Sequence, residues 1–273
     1  MVKRWRSRKA PLQLWHKKDD TVAVQRPYVS VIIPAMNESA TIARVIREAA
    51  QVHRDTEIIV VANGCSDHTA RIARASGARV LTFRTPLGHD VGRSVGAGAA
   101  RGEVLLFIDG DMVIPSQDLR RFVEAVTTGV DVALNDYEGP VERQPVHRVI
   151  LAKHVLNIAL GRPELAGASM TAVPHALSRK ALEIITAPAL SVPPRAQAAA
   201  MMSGLQVQRV HRVEVGRMNP RRVQGRDPLE ALVLSDHLEA LQRLLRSKGC
   251  RGGFPASLDA AAIEDKARTE VVT

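Results

Sequence analysis

The first half of the chain alternates short apolar runs with stretches whose apolar residues recur every three or four positions. The apolar runs cover residues 29–34, 57–61, 78–83, 104–108 and 131–134. Between the first two runs, Ile42, Val45, Ile46 and Ala49 have the spacing of one helix face. Strands that alternate with helices at these lengths predict an α/β fold, with a mostly parallel, Rossmann-like central sheet flanked by helices.

Beyond residue 140 the pattern is looser. It predicts helices at 146–160, 177–185 and 229–245, a half-solvated strand at 207–215, and a proline-rich break at 186–195. The predicted organisation is a basic N-terminal arm at 1–27 and a main domain at 28–225, followed by a C-terminal helix and a mobile tail at 226–273. Within the main domain, 28–134 forms one half and 135–225 the other.

Polar residues collect where the predicted strands end, at the edge where open α/β sheets bind ligands. They occur in four segments, at 34–38, 63–67, 88–93 and 109–111. Each segment alone has an ordinary interpretation: Asn37 as a helix cap, Asn63-Gly64 as a turn, the glycines as close packing. Four such segments in this order are harder to ascribe to caps and turns, and they predict a ligand crevice.

Asp109-Gly110-Asp111 follows the apolar run at 104–108 and is the most specific of these segments. Taken alone, the tripeptide could be a simple Asp-Gly turn. At the end of a buried strand, two carboxylates one residue apart are poor core residues, because burying unpaired charge is costly. They are good ligands for a hard divalent cation that holds a diphosphate. The segment therefore favours a nucleotide-diphosphate substrate.

The amino-acid composition limits the classes of molecule that the chain is expected to bind. Of the 273 residues, 45% are hydrophobic and only 3% are aromatic, and the formal net charge is +10. So few aromatic rings argue against nucleic-acid binding by base stacking, whereas the charge favours anionic partners such as phosphates and nucleotides. The two cysteines, Cys65 and Cys250, are far apart and indicate a reducing compartment without a disulfide framework.

The N-terminal arm is strongly basic. Residues 1–18 hold seven lysines and arginines with Trp5 and Trp15, and no acidic residue. Two interpretations stay open: peripheral contact with an anionic membrane, or a solvated, frayed arm. No run approaches the roughly 18 apolar residues that span a bilayer, and no apolar segment follows the basic start as in a signal peptide. We therefore expect a cytoplasmic location, and a homodimer is one option for the oligomeric state.

These motifs resemble glycosyltransferase family 2, over about residues 28–215. The resemblance implies the GT-A fold and transfer of a sugar from a UDP- or GDP-linked donor, with Mg²⁺ or Mn²⁺ on the diphosphate. The acceptor is unidentified; a phosphate-bearing compound or a cell-envelope precursor is an option. The residues expected at the nucleotide-sugar are Pro34, Ala35, Asn37, Glu38, Asn63, Gly64, Asp67, Arg93, Asp109 and Gly110. Asp111 is expected to be the principal metal ligand, with Asp109 and His211 as further candidates, although His211 could also be a packed strand residue.

A narrower similarity appears at residues 162–167 and 176–179, which are similar to glucosyl-3-phosphoglycerate synthases. Those enzymes retain the anomeric configuration, so the stereochemical outcome stays open. Many inverting members of family 2 carry a late Glu-Asp pair that supplies the acceptor base, but residues 192–205 contain no acid. Asp136 and Glu138 are the nearest candidate bases, with solvated loop acids as the alternative.

Two other functional classes are alternatives to a glycosyltransferase. A nucleotidyltransferase usually has a glycine-rich, basic loop after its first strand, and residues 34–38 lack it. A non-catalytic nucleotide-sugar-binding protein that has lost its acceptor base stays open, because of the acid-free stretch at 192–205.

Overall fold

The computed structural model describes residues 26–218 and 228–253. Most of the predicted N-terminal arm, and the predicted tail from residue 254 onward, lie outside the described residues. The strands are β1 Val29–Ala35, β2 Thr56–Asn63, β3 Arg79–Phe83, β4 Val104–Phe107, β5 Val132–Asn135, β6 His175–Ser178 and β7 Val207–His211. The helices are α1 Ile42–Ala49, α2 Thr69–Ala75, α3 Val91–Ala99, α4 Ser116–Thr127, α5 Arg148–Ala159, α6 Arg179–Ile185, α7 Pro193–Met202, α8 Val215–Met218 and α9 Pro228–Lys248.

The strands form one seven-stranded sheet in the order β3-β2-β1-β4-β6-β5-β7. Strand β6 runs antiparallel to both of its neighbours, β4 and β5, whereas the other pairings are parallel. Six strands therefore end at the same edge of the sheet, and β6 begins there. The prediction of a mostly parallel sheet flanked by helices is confirmed.

The central strands are apolar on both faces, because helices cover both sides of the sheet. On one face, Ile33 and Leu106 pack with Phe122 of α4. On the other face, Ile32 and Leu105 pack in a second cluster with residues of α3, α6 and α7. This two-sided burial explains why the first strands appear in the sequence as continuous apolar runs rather than as alternating patterns.

Helix α3 lies unusually close to β1. A Cβ on Gly96 would overlap Cγ2 of Ile32, and a Cβ on Gly92 would lie 3.0 Å from Cβ of Pro34. Glycine at these positions lets the helix backbone approach the strand. This contact fixes the amino end of α3, with Asp90 and Arg93, beside the carboxyl edge of the sheet.

Three predictions for the second half needed correction. Leu177 was predicted in a helix but lies in β6, where it pairs with Leu105 of β4 and Val132 of β5. A four-residue strand that leads directly into α6 is too short to show a strand period. The strand predicted at 207–215 ends at His211. The proline-rich stretch contains the start of α7, whose two prolines lie in the first turn, where a helix needs no N–H donors.

The C-terminal helix α9 packs against α5 and α7. Ala240 of α9, Leu156 of α5 and Ala198 of α7 form a small buried cluster at this junction. Within the two described ranges, no helix is both long enough and apolar enough to cross a membrane.

Candidate functional site

The carboxyl edge of the sheet brings together the polar segments that the sequence singled out. The ends of β1, β2 and β4 carry the segments at 34–38, 63–67 and 109–111. These three strands are parallel neighbours in the sheet, with β1 between β2 and β4. The ends of β5 and β7 reach the same edge with Asn135 and His211. The topology therefore produces one crevice with contributions from both halves of the chain.

The Asp109-Gly110-Asp111 turn is fastened to the end of β1. The Gly110 amide donates to the Pro34 carbonyl at 3.2 Å, and the Gly110 carbonyl accepts from the Thr41 hydroxyl at 2.8 Å. A Cβ on Gly110 would lie 3.0 Å from Cβ of Ala35, so the turn needs glycine for this close approach. Asp109 and Asp111, on either side of it, are both partly exposed at the edge.

Arg93 links this turn to α3. Its guanidinium pairs with Asp90 through Nη1 and with Asp109 through Nη2, at 3.0 Å from Asp109 Oδ1. The side chains of Arg93 and Asp90 are both only 7% exposed, and Arg93 Nε is buried without a hydrogen-bond partner. Arg93 therefore holds the Asp109 carboxylate from beneath. Asp90 was not among the predicted site residues, although its spacing of three from Arg93 on a helix start is a usable signal.

Asn37 and Asp67 connect the loops that follow β1 and β2. Asn37 Oδ1 accepts from the amides of Ser66 and Asp67 at 2.8 and 3.3 Å, and Asn37 has a positive φ of 60°. Asp67 accepts from the Ser39 amide at 3.1 Å and from the Thr69 amide at 2.9 Å. Burial works to raise the pKa of Asp67, but these hydrogen bonds outweigh it and hold the pKa well below its usual range. Both side chains thus shape the crevice, and a direct contact with a donor stays a prediction.

Glu38 and Asn63 also join loops at this edge. The Glu38 amide donates to the Thr69 hydroxyl at 2.7 Å. Asn63 is buried, accepts from the Leu87 amide at 2.7 Å and donates to the Gly88 carbonyl at 3.0 Å. Gly64, with φ of 70°, packs on the ring of Pro86. The Asn63 side chain therefore anchors the loop at 86–88, and its predicted contact with a nucleoside stays a prediction.

His175 lies at the start of β6, opposite Phe107 in the register. Its ring stacks on Phe107 with centroids 4.9 Å apart, and Nδ1 lies 2.9 Å from the Ala172 carbonyl oxygen, to which it donates. Burial, with a smaller contribution from the positive charge of Arg93, lowers the pKa of His175 to about 3. The ring is therefore neutral and buried at the edge of the sheet where the polar segments meet.

Asn135 organises the second half of the site and was missed from the sequence. It is fully buried and donates through Nδ2 to the carbonyls of Val173 and Val213 at 2.8 and 3.0 Å. Its Oδ1 accepts from the Val213 amide at 2.9 Å. One amide side chain thus ties the end of β5 to the segments before β6 and after β7.

The candidate bases Asp136 and Glu138 share one cation. Arg209 Nη1 lies 3.3 Å from Asp136 Oδ1 and 2.8 Å from Glu138 Oε1. Glu138 Oε2 also lies 3.9 Å from His154 Nε2. Both carboxylates are partly exposed and remain candidates, but any chemistry assigned to them includes Arg209, which no sequence motif singled out.

The three-residue metal set Asp109, Asp111 and His211 is not assembled. His211 Nε2 lies 3.0 Å from Asp118 Oδ1 of α4, and its ring meets Phe122 edge-on. In the part of the chain that the structure describes, no three His, Cys, Asp or Glu side chains are grouped to hold a metal ion. In this structure Asp118 engages the His211 ring, and a role of His211 as a metal ligand stays a prediction.

Comparisons with known proteins agree with this arrangement. The model of the family described as glycosyl transferase family 2 matches residues 30–169, just over half of the chain. The chain belongs to glycosyl transferase family 2. The matched residues include β1 to β5 and the Asp109-Gly110-Asp111 turn, so the family match covers the loops that follow β1, β2 and β4 at the edge of the sheet.

Individual relatives and a solved structure extend the family match. The 4,4'-diaponeurosporenoate glycosyltransferase of Staphylococcus haemolyticus is 31% identical over 127 residues, which are 44% of this chain and 32% of the relative. The undecaprenyl-phosphate 4-deoxy-4-formamido-L-arabinose transferase of Pseudomonas aeruginosa is 30% identical over 121 residues, 39% and 36% of the two chains. The chain thus spans about a third of the length of these curated relatives.

The solved structure is that of glucosyl-3-phosphoglycerate synthase from Mycobacterium tuberculosis with Mn²⁺, UDP-glucose and phosphoglyceric acid. It has a TM-score of 0.59 and 26% identity, and the match covers 89% of this chain and 88% of that one. The GT-A fold predicted from the sequence is confirmed.

Proposed function

We propose that this chain transfers a sugar from a nucleotide-diphosphate donor, with UDP as the nucleotide, to a phosphate-bearing acceptor, and that it uses a divalent cation. The observation that carries the proposal is the Asp109-Gly110-Asp111 turn, clamped to β1 at the carboxyl edge with Arg93 beneath it. Relatives supply the substrate classes: the mycobacterial synthase binds UDP-glucose and phosphoglyceric acid, and one curated relative is named for undecaprenyl phosphate.

The carboxylates present fit a cation that arrives together with its substrate. Mg²⁺ and Mn²⁺ at nucleotide sites are commonly held by one or two carboxylates and by the phosphates, rather than by a complete protein cage. Asp109 and Asp111 provide two partly exposed hard oxygen donors, and the described residues contain no group of three ligands. When bound, the cation would neutralise charge on the leaving diphosphate.

The residues around the turn would orient the Asp109 carboxylate and offset negative charge on the diphosphate. Arg93 Nη2 donates to both Asp109 oxygens, at 3.0 and 3.4 Å, and Asp90 fixes Arg93, so the carboxylate is in place before substrate binds. The guanidinium also adds positive charge beneath the position proposed for the diphosphate, where charge develops as the sugar–phosphate bond breaks.

A phosphate-bearing acceptor is favoured by the second half of the site. Helix α7 contains no acidic residue, and the remaining carboxylates, Asp136 and Glu138, are paired with Arg209. A phosphate oxygen that attacks as the nucleophile is already ionised and needs no general base. Arg209, partly exposed between the two acids, offers a cation to such a phosphate.

The same pairing favours a second candidate, a nucleotide-sugar-binding protein without transferase activity. If neither carboxylate can act as a base and no phosphate acceptor is used, the donor half would bind its ligand without turnover.

The release of UDP from UDP-glucose in the presence of Mn²⁺ separates these proposals. We expect slow release by the wild type through transfer to water, and a loss of at least about a hundredfold in Asp111→Asn, since the leaving charge loses its stabilisation. Asp55→Asn, before β2 at the opposite edge of the sheet, is the matched control and should keep the wild-type rate. Equal rates in wild type and Asp111→Asn would refute the role of the turn. Donor binding without release, with water or with any phosphate acceptor, would favour the binding protein.

A further inference from the structure

Helix α9 is held to the rest of the domain by few buried side chains. Of residues 229–248, only His237, Ala240 and Leu244 are buried. They are spaced by three and four positions, so they lie along one face of the helix, and the helix packs on α5 and α7. One of the three buried residues is therefore a histidine, at a position where a packed helix normally presents an apolar side chain.

The His237 ring has a hydrogen-bond partner at only one of its two nitrogens. Nδ1 lies 2.7 Å from the Val233 carbonyl oxygen, to which it donates, whereas Nε2 is buried without a partner. Burial lowers the pKa of His237, the positive charge of Lys153 lowers it further, and the hydrogen bond to Val233 opposes them only in part. The docked ring is therefore neutral, with an Nε2 that can take up a proton.

Lys153 is the residue of α5 that faces this histidine. It precedes Leu156 and Leu160 by three and seven positions, and so lies on the α5 face that packs with Ala240 of α9. Burial lowers the pKa of Lys153 to about 8, which leaves the ammonium charged at neutral pH. Among the described residues, no Asp or Glu pairs with Lys153 or with His237. Protonation of His237 would thus set two positive charges in one apolar junction.

The other charged groups of the three helices do not balance these two cations. Asp236 neighbours His237 in the chain, but burial and the negative charge of Glu239 raise its pKa, so no nearby cation stabilises its carboxylate. The remaining groups are paired elsewhere or exposed: Arg148 with Glu230 at 3.9 Å, Arg195 with Glu239 at 2.8 Å, His154 with Glu138 at 3.9 Å, and the exposed Arg243, Arg246 and Lys248.

Helices α5 and α7 are joined to each other without help from α9. Gln197 Nε2 of α7 donates to Asn157 Oδ1 of α5 at 2.7 Å, and Gln197 Oε1 accepts from the Met170 amide at 2.8 Å. Both amide side chains are buried, and neither titrates. The domain beneath α9 therefore keeps its own hydrogen bonds if α9 leaves, so that loss of α9 is a local opening rather than global unfolding.

We propose that protonation of His237 controls the docking of α9: the helix stays on α5 and α7 while the ring is neutral, and leaves them when the ring takes up a proton beside Lys153. In the docked helix the added charge has neither water nor a carboxylate as partner, whereas both cations are solvated once the helix is released.

The sign of the pH dependence follows from the two lowered pKa values. The released form binds a proton on His237 that the docked form does not, so docking weakens as the pH falls below 6.5, the usual pKa of histidine. Lys153 acts with the same sign at alkaline pH, because its pKa of about 8 in the docked form lies below its usual 10.5, and docking strengthens as the pH rises between these values.

Hydrogen–deuterium exchange of the full-length protein at about pH 7.5 and about pH 5, corrected for intrinsic exchange rates, tests the proposal. We expect the α9 amides of the wild type to lose at least about tenfold in protection at the lower pH, while β1, β2 and β4 keep theirs. In His237→Leu, an apolar side chain fills the position without titrating, so α9 should change by less than about twofold. In Lys153→Met, the opposing charge is gone, and the loss should be smaller than in the wild type.

His154→Gln is the matched control, because it removes another histidine whose Nε2 is buried, on the side of α5 that faces Glu138. It should show the same loss of α9 protection as the wild type. Equal α9 protection of the wild type at both pH values, or a loss spread over the strands, would overturn the proposal. So would a His237→Leu or a Lys153→Met variant that keeps the full loss. If His237→Leu leaves α9 unprotected at both pH values, the size of the loss in Lys153→Met decides.

Discussion

Arg93 shares one guanidinium between Asp90 and Asp109, and this pairing is the best-defined interaction of the candidate site. In Arg93→Met, the buried carboxylate of Asp90 loses the cation that pairs with it. We expect a loss of about 3–5 kcal/mol in the free energy of unfolding, because an uncompensated buried charge is costly. Urea denaturation measures the change. Arg121→Met removes an ion pair in which both side chains are exposed, and it should cost less than about 1 kcal/mol. Similar losses in the two variants would contradict the account of Arg93.

Burial of neutral His175 makes the free energy of unfolding depend on pH. Its pKa of about 3 in the folded protein lies below the usual histidine pKa of 6.5. The unfolded chain therefore binds a proton that the folded protein does not bind between these two values, and stability falls as the pH falls through that window. The slope for one such group is about 1.4 kcal/mol per pH unit.

Substitution of His175 should remove this slope. Between about pH 7 and pH 5, the wild type should lose about 2 kcal/mol more than His175→Gln. Urea denaturation at both pH values provides the comparison, and His68→Gln, at an exposed position, controls for the removal of one histidine. A wild type and a His175→Gln variant with parallel pH profiles would show that the ring is not held neutral.

At the scale of elements, the contact of α3 with β1 positions Arg93. In Gly96→Ala, the new Cβ would overlap Cγ2 of Ile32, so α3 must move away from β1. We expect a loss of about 1–3 kcal/mol in stability, although alanine is the better helix former. At Gly98 the nearest atom to a new Cβ is Cβ of Ala187, at 4.0 Å, and Gly98→Ala should stabilise by up to about 1 kcal/mol. Chemical denaturation of the Gly96→Ala and Gly98→Ala variants measures both changes. A Gly96→Ala variant that is more stable than the wild type would mean that α3 does not lie this close to β1.

The elements of the first half were predictable because each carries its own local signal. Apolar runs mark β1, β2 and β4, and a helix period marks α1 and α4. Strand β6 was not predictable in this way, because its burial comes from β4 and β5, whose paired residues lie 43 to 74 positions earlier in the sequence. Helix α7 was hidden by its prolines, which are common both in breaks and in the first turn of a helix.

In the whole molecule, the two halves of the site also differ in whether local sequence signals or contacts between distant residues define them. The Asp109-Gly110-Asp111 turn and the loops after β1 and β2 are local motifs, and the sequence located them at one sheet edge. Asn135 and Arg209 act through partners up to 78 and 73 residues away, and such pairings leave no local pattern. The partner of His211 was equally hidden from the sequence, because its ring pairs with Asp118, 93 residues earlier. The segments at 34–38, 63–67 and 109–111 were therefore predictable from the sequence, whereas the roles of Asn135, Arg209 and His211 required the fold.

The most direct test of the whole account is isothermal titration of the full-length protein with UDP-glucose, with Mn²⁺ and with EDTA. We expect Mn²⁺ to raise the affinity for UDP-glucose by at least about tenfold, because in the proposed function the cation would join the diphosphate to Asp109 and Asp111. We also expect Asp111→Asn to lose this increase, while the control Asp55→Asn keeps it. Equal affinity in Mn²⁺ and in EDTA, or an Asp111→Asn variant that keeps the increase, would contradict a metal-dependent donor site at this turn.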